Sequence, residues 1–465
     1  MQKIINIIRT SPFLSTLKHG KNYLLANLAT KALGFITLPI LTRLLTVEDY
    51  GVISLFNSYL LLFLPILTLN SYTSVGRYYY EDNDDFNSFF GSNINFVFLI
   101  LAVSTILLLT FKPIVLNFID LSDSIFYLLL FMVWFKVLSS LYQQICQPRL
   151  KSKEMAIRMI TEAYGGFLLS IILIYCFSDN RAFGKILGQT VMAGLLSVFF
   201  VKSLLRYYTF SFKRKHIKYV LSYSLPLLPY VLSGVIIGQI DRIMINEYWG
   251  MQDTGLYSFA FQLGMLVSVL SMSLYQAWSP VFYKKFNDKN RLSNDFVKIF
   301  LILSCFALFV ILFCDEIGFL LGKESFLGGL SIVPIIVIGL LFDAVFLFIG
   351  LFFLYFKKTI FISGIVVFGS ILNTILNFYM IPAYGYQVSA YTSAVSYCLM
   401  AILSIFLVKI FLKEKLSFLK NVILMILALV CIVGLFMIFE LNAIPIKIAL
   451  LLIYGFSVII FIRKI

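Results

Sequence analysis

The sequence predicts an all-α polytopic membrane protein of about 14 transmembrane helices. They are expected as two six-helix lobes, related by a pseudo-two-fold axis along the membrane normal, plus two C-terminal helices. Three observations predict this. The first is composition: 61% of residues are hydrophobic and only 13% charged, whereas soluble domains carry roughly 25% charged residues. The second is a recurrence of apolar runs, from Asn22 to the C-terminus, each about 20 residues long and so able to cross the bilayer as a helix. A β-barrel would instead show alternating segments of about ten residues. The third is the placement of the basic residues, which cluster in every second loop.

Residues 1–21 alternate isoleucine pairs with Lys3, Arg9 and Lys18, contain Pro12, and have no A-x-A-like site before Asn22. They read as a cytoplasmic, interfacial lead-in helix rather than a cleaved signal. The spans that follow are about 22–42, 52–75, 94–116, 123–145, 159–178 and 184–205, forming the N-terminal lobe (22–205). A basic cytoplasmic linker, 206–219, separates it from the C-terminal lobe (220–411). That lobe has spans at about 220–246, 254–279, 296–321, 327–355, 360–381 and 386–411. Residues 412–465 add two spans, about 421–439 and 443–462, which carry almost nothing polar and read as lipid-facing.

Loop charge gives orientation. With the N-terminus inside, the inner loops hold most of the 37 Lys and Arg residues, among them Arg149, Lys151, Lys153 and Arg158. The outer loops hold only Arg43, Lys112, Arg181, Lys185, Lys323 and Lys447. The positive-inside rule then places both termini in the cytoplasm. The net charge of +15 is therefore a topology signal and does not point to nucleic acid. The two halves also echo one another. LPILTRLLTVEDYG near the end of the first span is followed by Phe56, Asn57 and Tyr59. IIGQIDRIMINEYWGMQDTGLY near the end of the seventh is followed by Phe259, Phe261 and Gln262. Such duplication is a plan of transporters with a site between repeats.

Polar residues inside spans are costly in hydrocarbon and are candidates for function. Lys31 shares a helix face with Asn27 and Gly34. Lys136 begins a stripe continued by Ser140, Gln143, Gln144 and Gln147. The glutamines and serine fit inter-helix hydrogen bonding, whereas an unpaired lysine fits a water-filled lumen. Asp241 and Arg242 lie side by side, as a polar interior pair or with Arg242 snorkelling to the headgroups. Asp343 either pairs with Lys31 or Lys136 or exchanges protons with a gradient. Asn373 and Asn377 stand one turn apart. Pro226 and Pro229 remove two backbone donors, so the seventh span should kink or unwind, as a hinge or a static bend. Glu162, at the start of the fifth span, reads as solvated, and the loop 76–93 with Glu81, Asp82, Asp84 and Asp85 as a solvated turn.

The substrate-facing set is then Lys31, Arg43, Arg77, Lys136 and Arg242, a cationic lumen suited to an anion and to phosphate in particular. Arg43 and Arg77 lie near span ends and equally fit headgroup anchors. Asp241 and Asp343 are the coupling or charge-pairing residues. No catalytic residue is assigned: the chain has no G-x-x-x-x-G-K-[ST], H-E-x-x-H or G-x-S-x-G motif. Its six cysteines form no CxxC, and only His19 and His216 accompany them, so neither a disulfide framework nor a zinc site is expected. The cysteines read as small buried hydrophobes.

The opening NYLLANLATKALGFITLPILTRLLTVEDYG (22–51), QIDRIMI and TGLYSFAFQLG within 239–264, and AWSPVFYKKF (277–286) resemble bacterial polysaccharide flippases of the O-antigen type. These form the polysaccharide-transport branch of the multidrug/oligosaccharidyl-lipid/polysaccharide exporter superfamily. The resemblance covers nearly the whole chain through degenerate motifs. It implies a V-shaped pair of lobes around a central cavity in the cell inner membrane. It also implies translocation of undecaprenyl-diphosphate-linked oligosaccharide, an O-antigen or capsule repeat unit, from the cytoplasmic to the outer leaflet by alternating access. Arg43, Arg77, Asp241 and Arg242 match family-typical charges by position. The two extra helices would help form a groove for the lipid tail, as in lipid II flippases. Implied partners are the lipid-linked glycan, membrane lipids, and polysaccharide polymerase and chain-length machinery, with no nucleic acid. No cofactor is expected, and proton or sodium coupling stays open. The rival readings are a multidrug/toxin antiporter of the same superfamily, which should bury more carboxylates, and a membrane-embedded polymerase or glycosyltransferase, which should carry a large outer loop with catalytic carboxylates. A purely structural assembly subunit, without an accessible cavity, is a third.

Overall fold

The computed structural model describes residues 29–30, 32–81, 85–414, 416–438 and 443–464. The expected lead-in helix and Lys31 lie outside them, as do Asp82 and Asp84. The described chain is all α-helical, and ten of its helices are long and apolar enough to cross a membrane. The protein is a polytopic membrane protein. Its contacts form two compact units, 1–235 and 236–465, and the division falls inside a helix, downstream of the basic linker.

The first unit comprises α1 (Ala32–Leu44), α2 (Val47–Thr68), α3 (Ser74–Tyr78), α4 (Phe86–Thr110), α5 (Lys112–Ile119), α6 (Asp123–Cys146), α7 (Ser152–Ile160), α8 (Gly166–Cys176) and α9 (Arg181–Leu204), with the start of α10 (Arg214–Lys285). A capping box opens α2: Asp49 N–H donates to Thr46 Oγ1 and Thr46 N–H to Asp49 Oδ2, both at 3.0 Å. α7 passes into α8 through a π-turn, Thr161–Gly165. Such turns widen a helix locally and recur at functional sites. α8 and α9 approach closely because Gly184 and Gly188 present no side chain. A Cβ on Gly188 would lie 2.4 Å from Ser170 N, and one on Gly184 2.5 Å from Leu173 O. Small residues four apart allow this in membrane helices, where packing replaces the hydrophobic drive. The outward faces are apolar: Leu168 is 60% and Val198 71% exposed, as lipid-facing side chains should be.

The second unit takes the rest of α10, α11 (Lys289–Leu312), α12 (Cys314–Leu321), α13 (Val333–Tyr355), α14 (Thr359–Tyr384), α15 (Val388–Phe411), α16 (Leu419–Ile438) and α17 (Ile444–Lys464). α13 is its buried centre and packs chiefly on α15, which in turn packs on α14. α10 runs 72 residues with one interruption, at Gly250 (φ +85°, ψ −177°). Only glycine adopts that backbone without strain. Beside it, Trp249 Nε1 donates to Ile381 O at 2.9 Å. The expected unwinding at Pro226 and Pro229 is not found: both keep helical dihedrals, and the break sits at Gly250.

Two further expectations are corrected. Cys176 and Cys431 are exposed rather than buried, since a thiol on an apolar face can meet lipid as readily as protein. Lys447, counted among the outer-loop residues, lies in the first turn of α17. It is 1% exposed and bonds Glu316 Oε1 and Oε2 at 2.8 and 3.0 Å, tying α17 to α12.

Candidate functional site

The first unit holds a polar cavity of about 440 Å³. α6 supplies Lys136, Ser139, Ser140 and Gln143, which share a face at i, i+3, i+4 and i+7. Asn57 comes from α2, Gln189 from α9, and Arg158 and Glu162 from α7 and its π-turn. Lys136 Nζ is ion-paired with Glu162 Oε1. Asp343 was one expected partner for Lys136, beside an unpaired lysine in a water-filled lumen, and Glu162 was expected in solvent. Instead Glu162 is mostly buried, at 17% side-chain exposure, because the π-turn swings it toward α6. Ser139 Oγ donates to Glu162 Oε2 at 3.4 Å and accepts from Arg158 Nη1 at 2.7 Å; the same Nη1 donates to Ser139 O at 2.9 Å. Arg158 Nε is buried without a hydrogen-bond partner among the described residues. Charge counting assigns Arg158 to a basic loop. Its spacing of four residues from Glu162 was the available signal that both face one wall.

The second unit holds a polar cluster of another kind. Asp241 on α10 is 1% exposed. It accepts hydrogen bonds from Tyr257 Oη and Asn377 Nδ2, both at 2.5 Å, and from Ser393 Oγ at 2.9 Å. Asn377 Nδ2 also donates to Asn373 Oδ1 at 3.2 Å, and Asn373 Nδ2 to Ser393 Oγ at 3.1 Å. Thr392 Oγ1 donates to Asn377 Oδ1. Three segments, α10, α14 and α15, thus converge on one carboxylate. The void beside Tyr257 and Ser393 is about 10 Å³, at the lower limit for one water molecule. Arg242 makes no ion pair with Asp241, because successive helical residues point about 100° apart. It is 8% exposed, donates to Gly238 O at 2.7 Å, and lies 4.6 Å from the Phe261 ring centre.

The remaining sequence candidates stand elsewhere. Arg43 is exposed and turns back to Pro39 O at 2.8 Å. Arg77 pairs with Glu81 at 2.6 Å. Neither lines the cavity of the first unit. Asp343, on α13, makes no hydrogen bond or ion pair among the described residues. No group of three or more His, Cys, Asp or Glu is placed to hold a metal there, although the oxygens around Asp241 suit a hard monovalent cation in kind.

One arrangement went unread in the sequence. His216 Nε2 lies 2.9 Å from Asp85 Oδ2, and its Nδ1 lies 2.9 Å from Ser92 Oγ. The residue types are those of a hydrolase triad, yet the two ring nitrogens are swapped, and Ser92 is fully buried and His216 1% exposed, which denies a substrate access. Lys213 and Lys215 also bond Asp85. The set clamps the basic linker to the start of α4, so the loop read as solvated is in part a docking point.

The chain matches the family described as "Polysaccharide biosynthesis protein" over residues 17–286. It is 27% identical over 295 residues to "Lsg locus putative protein 1" of Haemophilus influenzae, covering 59% of this chain and 68% of that protein. An "Uncharacterized membrane protein" of the same organism is 25% identical over 281 residues, covering 58% and 66%. Among solved structures, "Lipid II flippase MurJ, inward closed conformation" superposes with a TM-score of 0.75 at 16% identity, covering 95% of this chain and 98% of that one. An inward-facing multidrug resistance MATE family transporter of the MOP superfamily gives 0.64 at 15% identity, covering 87% and 95%. At these identities the structural likeness concerns fold. The chain belongs to the polysaccharide biosynthesis protein family, and its fold is like those of the MurJ and MATE structures.

Proposed function

We propose that the protein is a flippase that moves an undecaprenyl-diphosphate-linked oligosaccharide, an O-antigen or capsule repeat unit, across the inner membrane by alternating access. The observation that carries this is the cavity around Lys136, Arg158 and Glu162: a roomy, charged, amide-lined space among helices whose outer faces are apolar. The barrier to flipping is the transfer of a charged, hydroxyl-rich headgroup through hydrocarbon, and a polar enclosure lowers it. No covalent chemistry is required. Family membership supports the substrate class.

In this reading the chain crosses fourteen times with both termini cytoplasmic. The 72-residue α10, about 108 Å if straight, counts as two crossings split at Gly250, and α1, α16 and α17 supply the shorter ones. Asp241 is the coupling residue, exchanging the three hydrogen bonds it accepts for a proton or sodium ion. Polymerase and chain-length proteins would take the product.

The test is deletion of the gene in its host, complemented with wild type, Lys136→Ala or Arg242→Ala. Expected is loss of surface polysaccharide with build-up of lipid-linked precursor, restored by wild type alone. Normal surface glycan in the deletion strain, with no redundant transporter, rejects the role. The buried Asp241 and the MATE-like fold favour a second reading, a cation-coupled multidrug antiporter. It requires efflux of organic cations by the purified protein and no precursor build-up.

A further inference from the structure

We propose that the cavity of the first unit is a subsite for a carboxylate-bearing sugar of the glycan, with Arg158 as its anchor. This rests on the flippase reading and narrows its substrate.

The guanidinium of Arg158 is half used. Nη1 is fixed by Ser139 O and Ser139 Oγ. Nε is buried with no partner, and Nη2 makes no hydrogen bond among the described residues. The Nε–H and one Nη2–H of a planar guanidinium run parallel, a fork that fits the two oxygens of one oxyanion. A buried N–H without an acceptor is rare in folded proteins, and a bound oxyanion would supply the acceptor.

Charge selects among oxyanions. Lys136 is neutralised by Glu162, so among the described lining residues one positive charge is left uncompensated, on Arg158. A carboxylate matches it one for one. A diphosphate would bring at least two negative charges against Glu162. Lys185 stands behind the wall, 6% exposed, donating to Gln189 Oε1 at 2.8 Å. It occupies the acceptor end of that amide, which leaves the amide NH₂ as the donor end. Asn57, Ser140 and Gln143 offer neutral donors and acceptors that match ring hydroxyls, and their acceptor ends would be idle against a bare diphosphate, which has no donor. The volume of about 440 Å³ falls in the usual range for small-molecule sites, roughly 300–1,000 Å³.

The experiment uses the full-length protein in lipid nanodiscs, with glucuronate, glucose and inorganic pyrophosphate as separate probes, read by calorimetric titration and thermal shift. Glucuronate should bind wild type more tightly than either other probe, an outcome that needs no variant. Arg158→Gln should weaken glucuronate about ten-fold or more, and Arg158→Lys, which keeps charge without the fork, nearly as much. Glu162→Gln should shift preference toward pyrophosphate by freeing Lys136. Tighter binding of pyrophosphate than of glucuronate by wild type overturns the proposal, as does equal binding of glucose, or no binding at all. None of these results touches the flippase reading, which fails only if precursor does not accumulate in the deletion strain.

Discussion

The two units each bury a polar cluster, and the clusters are opposites. Around Asp241 every named side chain has its partner, and the void beside Tyr257 and Ser393 is about 10 Å³. Around Lys136 a 440 Å³ space stays open, and Arg158 keeps an unused edge. A saturated, dry cluster holds helices in register, and its members are costly to remove singly. An unsaturated cluster facing space gives up stability for the capacity to bind. Sequence placed Lys136 and Asp241 in one cationic interior, whereas the side chains divide them by hydration and completeness.

The comparison is broken most readily at Asp241. Asp241→Ala strands the Tyr257, Asn377 and Ser393 donors in a buried site. Each stranded donor costs about 1–3 kcal/mol, so a loss of roughly 3 kcal/mol or more is expected in denaturant unfolding of the detergent-purified protein. Asp241→Asn keeps the shape and should lose less stability while still abolishing coupled transport. A stability loss under about 1 kcal/mol for Asp241→Ala would mean that the cluster is not the tie described.

Next comes the backbone beneath the open cavity. Gly188→Ala puts a methyl 2.4 Å from Ser170 N, which is backbone and cannot swing aside. α9 must then move off α8, at about 1–3 kcal/mol, carrying Gln189 out of the cavity wall. Both a lower melting temperature and weaker ligand binding are expected. Lower stability with unchanged binding would show that the wall does not depend on this contact.

Helical class and most helix positions were legible because hydrocarbon imposes length and apolarity directly on sequence. Asp241, Asn373 and Asn377 could each be singled out as misfits in apolar runs. Their meeting could not be read, since it depends on how α10, α14 and α15 pack. Arg158 was misjudged for a definable reason: an arginine near a span end counts toward topology whichever way it points. The π-turn that aims Glu162 at Lys136 has no motif, and the break in α10 falls at Gly250 rather than at a proline.

Asp85 is the intermediate case, charged like the first cluster and well bonded like the second. Hydrogen bonds from Lys215, and then His216 and Lys213, hold its carboxyl well below the usual carboxylate range, against a burial that pushes it up. A carboxyl depressed by folding stabilises the fold above its unfolded value, about 3.9, and that contribution is lost as pH falls below it toward the folded value. The group is partly exposed, so the contribution is roughly 1 kcal/mol after solvent screening. Wild type should lose stability on acidification below about pH 4, and Asp85→Asn should flatten part of that slope. Identical slopes would remove Asp85 from the linker clamp.

The smallest stability effect, and the sharpest contrast, is expected at Glu162. Glu162→Gln removes the charge partner of Lys136 as surely as Asp241→Ala removes the hydrogen-bond acceptor of Tyr257. Lys136 is 32% exposed on a cavity that admits water, so the freed ammonium can be hydrated. The stability change should stay below about 1 kcal/mol, the range of solvated ion pairs. Transport should suffer nonetheless, since a second free cation now competes with Arg158 for the bound anion and slows its release. If Glu162→Gln destabilises the protein as much as Asp241→Ala, the Lys136 site is as dry as the Asp241 site, and the distinction between a binding cluster and a fastening cluster is lost.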